Sequence, residues 1–208
     1  MLKIIVIMAL IYSLIALFVL LRKAMMYGKK SLYAKESGSR MKGILYAFGR
    51  GMMPWEKESV RIHFITCIAG MTYHAGIFGA LVYLALLLTS ITIPNDAKIL
   101  FQVIFIAGGA CGIGLFLKRI FLKTMRAITC PDDYASNIIV DIFIIVSLLH
   151  SLKSEILPVL YSIAVVMFLY IPSGKIRHCF FFFATRTLFG MFFGRRNVFP
   201  QNDARFGA

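Results

Sequence analysis

Long, continuous apolar runs separated by short polar stretches dominate this chain. A helix needs about 20 apolar residues to cross a hydrocarbon core. Five runs reach or approach that length: Leu2–Leu21, Ile62–Ile93, Ile99–Leu117, Ala135–His150 and Ile156–Ile171, the last running on to Ser173. Barrel strands would alternate apolar and polar positions, so unbroken runs predict helices and disfavour a closed β-barrel. The fourth run is short and carries Asp141. The expected fold is an all-α, five-transmembrane-helix bundle, with residues 1–208 forming a single integral membrane domain. Composition agrees: 60% of the 208 residues are hydrophobic and the mean hydropathy is +0.82, outside the soluble globular range.

The polar stretches punctuate these runs. The first run is longer than the apolar core of a signal peptide and no small-residue cleavage site follows it, so we expect a retained anchor ending at Arg22–Lys23. A long loop over 24–60 follows. Within it, Arg40–Phe48 has the pattern of a short interfacial helix, and Trp55 suits the headgroup zone. So long a loop is functional, folded against a partner, or a basic connector lying on lipid. In the third run, Gly108, Gly109, Gly112 and Gly114 permit close helix approach, or leave a groove for a flat macrocycle. Cys130-Pro131-Asp132-Asp133-Tyr134 reads as a helix start, with acids at the positive end of the helix dipole. Lys153–Glu155 marks a brief exit from the membrane. Phe180–Phe193 is an aromatic stretch expected at the interface, and residues 195–208 form a polar tail.

Charge sets an orientation. Of 23 Lys and Arg, ten lie between Arg22 and Arg61, four between Lys118 and Arg126, and six from Lys175 onward. Only Lys3, Lys98 and Lys153 fall at the other ends of the runs. By the positive-inside rule the N-terminus is outside and the C-terminus cytoplasmic. Topology therefore accounts for the net charge of +14 without nucleic acid. The basic face also suits anionic lipid or a cytoplasmic protein partner. Cys67, Cys111, Cys130 and Cys179 are scattered, with no CxxC or CxxCH spacing, so any iron–sulfur cluster is expected in another subunit.

The chain's only histidines, His63, His74, His150 and His178, lie in or at the ends of the apolar runs. Ionisable and metal-binding side chains are costly in a bilayer, so their presence there is a functional hypothesis. A neutral imidazole is the usual axial ligand where haem iron carries electrons, and two of them clamp one iron from both faces. His63 and His74 are 11 residues apart, nearly on one helix face and about 16 Å apart along the axis. Two pairings remain open. One joins His74 with His178 around a single haem b. The other pairs His63 with His178 at the cytoplasmic edge and His74 with His150 deeper, giving two. Lys175 and Arg177 suit haem propionates, or positive-inside anchoring. Asp141 is a candidate proton relay to a quinone, or a hydrogen-bonding partner between helices. Tyr83, Tyr161 and Tyr170 are candidate hydrogen-bond donors to a quinone.

His74-Ala75-Gly76-Ile77-Phe78-Gly79, Pro131-Asp132-Asp133-Tyr134 and Lys175-Ile176-Arg177-His178 resemble, in order and spacing, the respiratory nitrate reductase gamma-subunit family. That family includes the membrane subunits of heterodisulfide-reductase-like complexes. The resemblance implies a cytochrome b-type subunit of a prokaryotic cytoplasmic membrane, passing electrons between the quinone pool and a cytoplasmic iron–sulfur subunit. It is then a quinone-reacting or non-catalytic part of an oxidoreductase complex. His74 matches the helix-2 ligand of the cytoplasm-proximal haem and His178 its helix-5 partner. The positions of the distal pair hold Leu84 and Leu160, so the resemblance implies loss of that haem. A redox-silent anchor, docking a soluble complex through its basic loops, is the competing expectation.

Overall fold

The computed structural model describes residues 1–27, 35–56, 60 and 62–198. Among these the secondary structure is entirely helical. Four helices are long and apolar enough to cross a membrane: α1 (Leu2–Met26), α3 (Phe64–Leu88), α4 (Asn95–Phe121) and α6 (Pro131–Leu152). Between them lie α2 (Arg40–Phe48) and the short α5 (Lys123–Ile128); α7 (Leu157–Tyr170) and α8 (His178–Arg195) follow. The 14 residues of α7 rise about 21 Å, and the chain breaks after it; the count is five if the broken pair forms one span. Outward-facing apolar side chains are plentiful, with Ile4 65%, Met8 61% and Ile15 59% exposed on α1 alone. Faces of this kind are matched by lipid rather than water. This is a multi-pass membrane protein by the length and apolarity of its helices.

Local chemistry sets the helix ends. The second run stops earlier than its apolarity suggests, because Thr89 folds its hydroxyl back onto the Ala85 carbonyl at 2.9 Å and Ser90 turns left-handed at φ 57°. Residues 91–94 lie outside any helix. The fourth run starts four residues earlier than expected, at Pro131. Proline at the first turn loses no needed N–H, and the Asp133 carboxylate accepts the Cys130 N–H at 2.9 Å, closing a capping box. Ser39 caps α2, its hydroxyl accepting the Lys42 N–H at 3.4 Å. That helix has the bounds expected of it.

Where the sequence suggests one domain, the chain divides into two compact units, Met1–Phe18 with His63–Arg177, and Val19–Ile62 with His178–Ala208. In the first, α1 buries the stripe Val6, Ala9, Ser13 and Leu17. Helices α3 and α4 meet backbone to backbone: a Cβ built on Gly76 would lie 2.8 Å from the Gly108 Cα. Of the two readings of the glycine-rich run, close approach is therefore the use made of Gly108. Tyr83, Leu84, Phe105, Phe143, Ile144, Leu160 and Met167 fill the core at 2% exposure or less. In the second unit, α2 packs on α8, which spans the whole of the expected aromatic stretch. Gly190 and Gly194 sit one turn apart on α8 and lie against the backbone of Ser39, Gly43 and Ile44. Arg186 donates to the Gly51 carbonyl at 3.3 Å, and Arg195 pairs with Glu36 at 3.2 Å. Of the polar tail, residues 199–208 lie outside the described residues.

Candidate functional site

His74 stands near the middle of α3 on an exposed face. Its Nδ1 is 2.7 Å from the Gly70 carbonyl, one turn back. A carbonyl can only accept, so Nδ1 carries the proton and the ring lone pair is on Nε2. This is the tautomer that a metal-ligating histidine adopts, oriented by a backbone carbonyl. The ring is flanked by Tyr73 and Phe78, each with its centroid 6.4 Å away. A Cβ on Gly70 would meet nothing within 4 Å, so that turn presents no side chain against a flat group. The residues around His74 fit one axial position of a haem.

His150 is placed differently. It is 8% exposed, and its Nδ1 shares a hydrogen bond with the Tyr83 hydroxyl at 2.9 Å. Tyr83 in turn packs edge-on against Phe101 and Phe105, with centroids 5.3 and 5.6 Å away. Tyr83 lies nine residues beyond His74 on α3, about 13.5 Å along the axis. His150 is thus engaged by Tyr83, more than two turns along α3 from His74. His150 is a buried histidine satisfied by a tyrosine. Leu84 and Leu160, which stand where the distal ligands would be, are 1% and 0% exposed. Both are packed in the core.

His63 precedes α3, is exposed, and its carbonyl accepts the Cys67 N–H at 3.0 Å. His178 is the exposed first residue of α8 and belongs to the second unit, whereas His74 belongs to the first. Lys175 has a structural partner. Its ammonium lies 2.7 Å from Asp133 Oδ2, and Arg119 reaches Oδ1 of the same carboxylate at 3.3 Å. One acid therefore joins the end of α4, the start of α6 and the segment after α7. Arg177 is exposed. Two of the three tyrosine hydroxyls are engaged: Tyr83 with His150, and Tyr170 with Asp132 and Ser136. Tyr161 is buried.

A polar cluster that the sequence only hinted at lies between α3, α4 and α6. Asp141 is 7% and Asn137 7% exposed, one helical turn apart. Asn137 Nδ2 donates to Asp141 Oδ2 at 2.8 Å and to the Tyr73 hydroxyl at 3.3 Å. The Tyr73 hydroxyl donates to the Asn137 carbonyl at 3.5 Å. Gly112 makes the room, since its missing Cβ would fall among Asp141 Oδ1 and the Tyr73 ring. Sequence reasoning found Asp141 but missed Asn137 and Tyr73. The available signal was spacing: Asn137 and Asp141 are four apart and so share a face. Comparison of the chain with protein-family models, curated proteins and solved structures returned no match.

Proposed function

We propose that this chain is a cytochrome b-type membrane subunit, holding one haem b through His74 and passing electrons between the quinone pool and a cytoplasmic iron–sulfur partner. The observation that carries the reading is the His74 imidazole, set by the Gly70 carbonyl at 2.7 Å into the ligand tautomer on an exposed face. His178 is the second ligand on the sequence resemblance, and Arg177 the neighbouring cation for a propionate. Bound haem supplies a one-electron couple inside the membrane. His74 would hold the iron, and the apolar side chains of α3 would exclude water around it. Packed Leu84 and Leu160 favour one haem over two.

Orientation and span number belong to the same proposal. Lys175 and Tyr170, beyond and at the end of α7, both reach the first turns of α6. That return supports a fifth crossing, with the N-terminus outside and the basic loops cytoplasmic. The membrane is then the cytoplasmic membrane of a prokaryote. A redox-silent anchor is the second reading, favoured by half-exposed Arg40 and Arg50 in the second unit.

The test is a dithionite-reduced minus oxidised spectrum of the purified protein, with a pyridine haemochrome count. One b haem per chain is expected, lost in His74→Ala and in His178→Ala and retained in His150→Ala. No haem in protein reconstituted with haemin would overturn the cytochrome reading and leave the docking anchor.

A further inference from the structure

Asp141 is ten residues from the start of α6, about 15 Å along it, half the depth of a hydrocarbon core of about 30 Å. It is 7% exposed, and its Oδ1 carries no hydrogen bond. An ionised carboxylate needs a cation or several donors to offset its lost hydration. Here Oδ2 takes a hydrogen bond at 2.8 Å from Asn137, a neutral amide, and the neutral Tyr73 hydroxyl faces the same carboxyl from α3. Among the described residues, the charged groups on the helices packed around α6 have other partners, Lys118 of α4 donating to the Thr66 hydroxyl at 2.6 Å. Arg119 of α4 pairs with Asp133, as does Lys175 after α7. Tyr170 of α7 is bound to Asp132, His150 to Tyr83, and Tyr73 of α3 is the titratable group against the cluster. The arrangement suits a neutral acid: Asn137 donates to Oδ2, which leaves Oδ1, over Gly112, as the oxygen that would hold a proton.

We propose that Asp141, held by Asn137, is an intramembrane proton-binding site, in which Asp141 alone takes up and releases the proton. Asn137 is a positioning residue that fixes which oxygen is the acceptor. Gly112 keeps the other oxygen clear, because any Cβ there would occupy its place. The site stands beside the turn bearing His74, since Tyr73 is the preceding residue and the two rings are 6.4 Å apart. It does not depend on His74 holding haem. A proton-binding carboxyl at mid-depth is the usual element of proton movement within membranes.

Infrared difference spectroscopy of the full chain in vesicles tests this. The wild type should show a protonated-carboxyl carbonyl band at pH 7, where an exposed aspartate of pKa about 3.9 is ionised. The band should be absent from the near-isosteric Asp141→Asn variant and displaced in Asn137→Leu. It should also shift within minutes of transfer to D2O, as exchange requires. Dicyclohexylcarbodiimide, which attacks protonated carboxyls in apolar surroundings, should label Asp141 in the wild type, read by mass spectrometry. Absence of both the band and the adduct would make Asp141 an ionised group and overturn the proposal. Loss of the band on adding Na+ would make this a cation site instead, and a band that never exchanges would make it a static structural acid. Either result overturns it.

Discussion

At the scale of single residues, Gly76 and Gly108 carry the packing constraint that sets how closely α3 and α4 approach. A side chain at Gly76 or Gly108 must part α3 from α4, because a Cβ on either meets the other's backbone at under 3 Å. Overpacking of this kind costs about 1–3 kcal/mol, and backbone cannot yield as a flexible side chain can. We expect Gly76→Leu to lower the detergent-solubilised melting temperature sharply. Gly114→Ala, where a Cβ meets nothing within 4 Å, should leave it unchanged or slightly raised, since alanine favours helix. Equal tolerance of both substitutions would refute the close approach. Histidine chemistry separates in the same way. Tyr83→Phe removes only the bond to His150, and interhelical hydrogen bonds in membranes average about 0.6 kcal/mol. A small fall in melting temperature is therefore expected; on the proposed cytochrome reading haem content should be unaltered, whereas His74→Ala should abolish it. The sequence showed four histidines in or at the ends of apolar runs. It could not show that one has a tyrosine partner and another a carbonyl one turn back, because the first contact spans 67 residues.

At the scale of elements, the spanning helices were readable because a continuous apolar run of about 16 residues or more overrides local detail. Their ends moved where a single polar side chain intervened, as Thr89 and Asp133 do. Helix α8 was the least readable element. Its Phe-rich run is interrupted by Arg186, so it has neither the length of an uninterrupted span nor a clean polar face. The signal lay in its small residues instead: Gly190 and Gly194 form a small-xxx-small pair, and they meet Gly43 of α2. Asp133 of α6 is the residue on which two other elements converge, the end of α4 and the segment after α7. It caps α6 through the Cys130 N–H and pairs with Lys175 and Arg119. Loss of a cap costs about 1 kcal/mol, and exposed ion pairs add about 0–1 kcal/mol, screened by salt. Asp133→Ala should therefore destabilise more than Lys175→Met, since Lys175 is half exposed. Only the part due to ion pairs should shrink when melting is repeated at high salt. Equal effects at both positions would remove the cap from the account.

At the scale of the whole molecule, charge and connectivity bear on the same question, whether α7 crosses the membrane or turns back within it. Its 14 residues rise about 21 Å, less than the hydrocarbon thickness. The turn at Ser154–Ile156 and the residues after Tyr170 extend the path, and the segment ends beside the start of α6, where Lys175 meets Asp133. A re-entrant α7 would return to the side from which it entered and leave Lys175 one membrane thickness from that carboxylate. It would also move the six basic residues from Lys175 onward to the outer side, against the positive-inside bias. Both arguments predict a full crossing. In a background lacking the four native cysteines, single cysteines at Ser154, Thr124 and Ser173, all exposed, read it directly with a membrane-impermeant maleimide. Ser154→Cys should label in intact cells, and Thr124→Cys and Ser173→Cys only after permeabilisation. Labelling of Ser173→Cys in intact cells, with Thr124→Cys still protected, would make α7 re-entrant. The ion pair between Lys175 and Asp133 would then have to be absent in the membrane, and a Lys175→Asp, Asp133→Lys exchange should fail to restore the stability that either change alone removes.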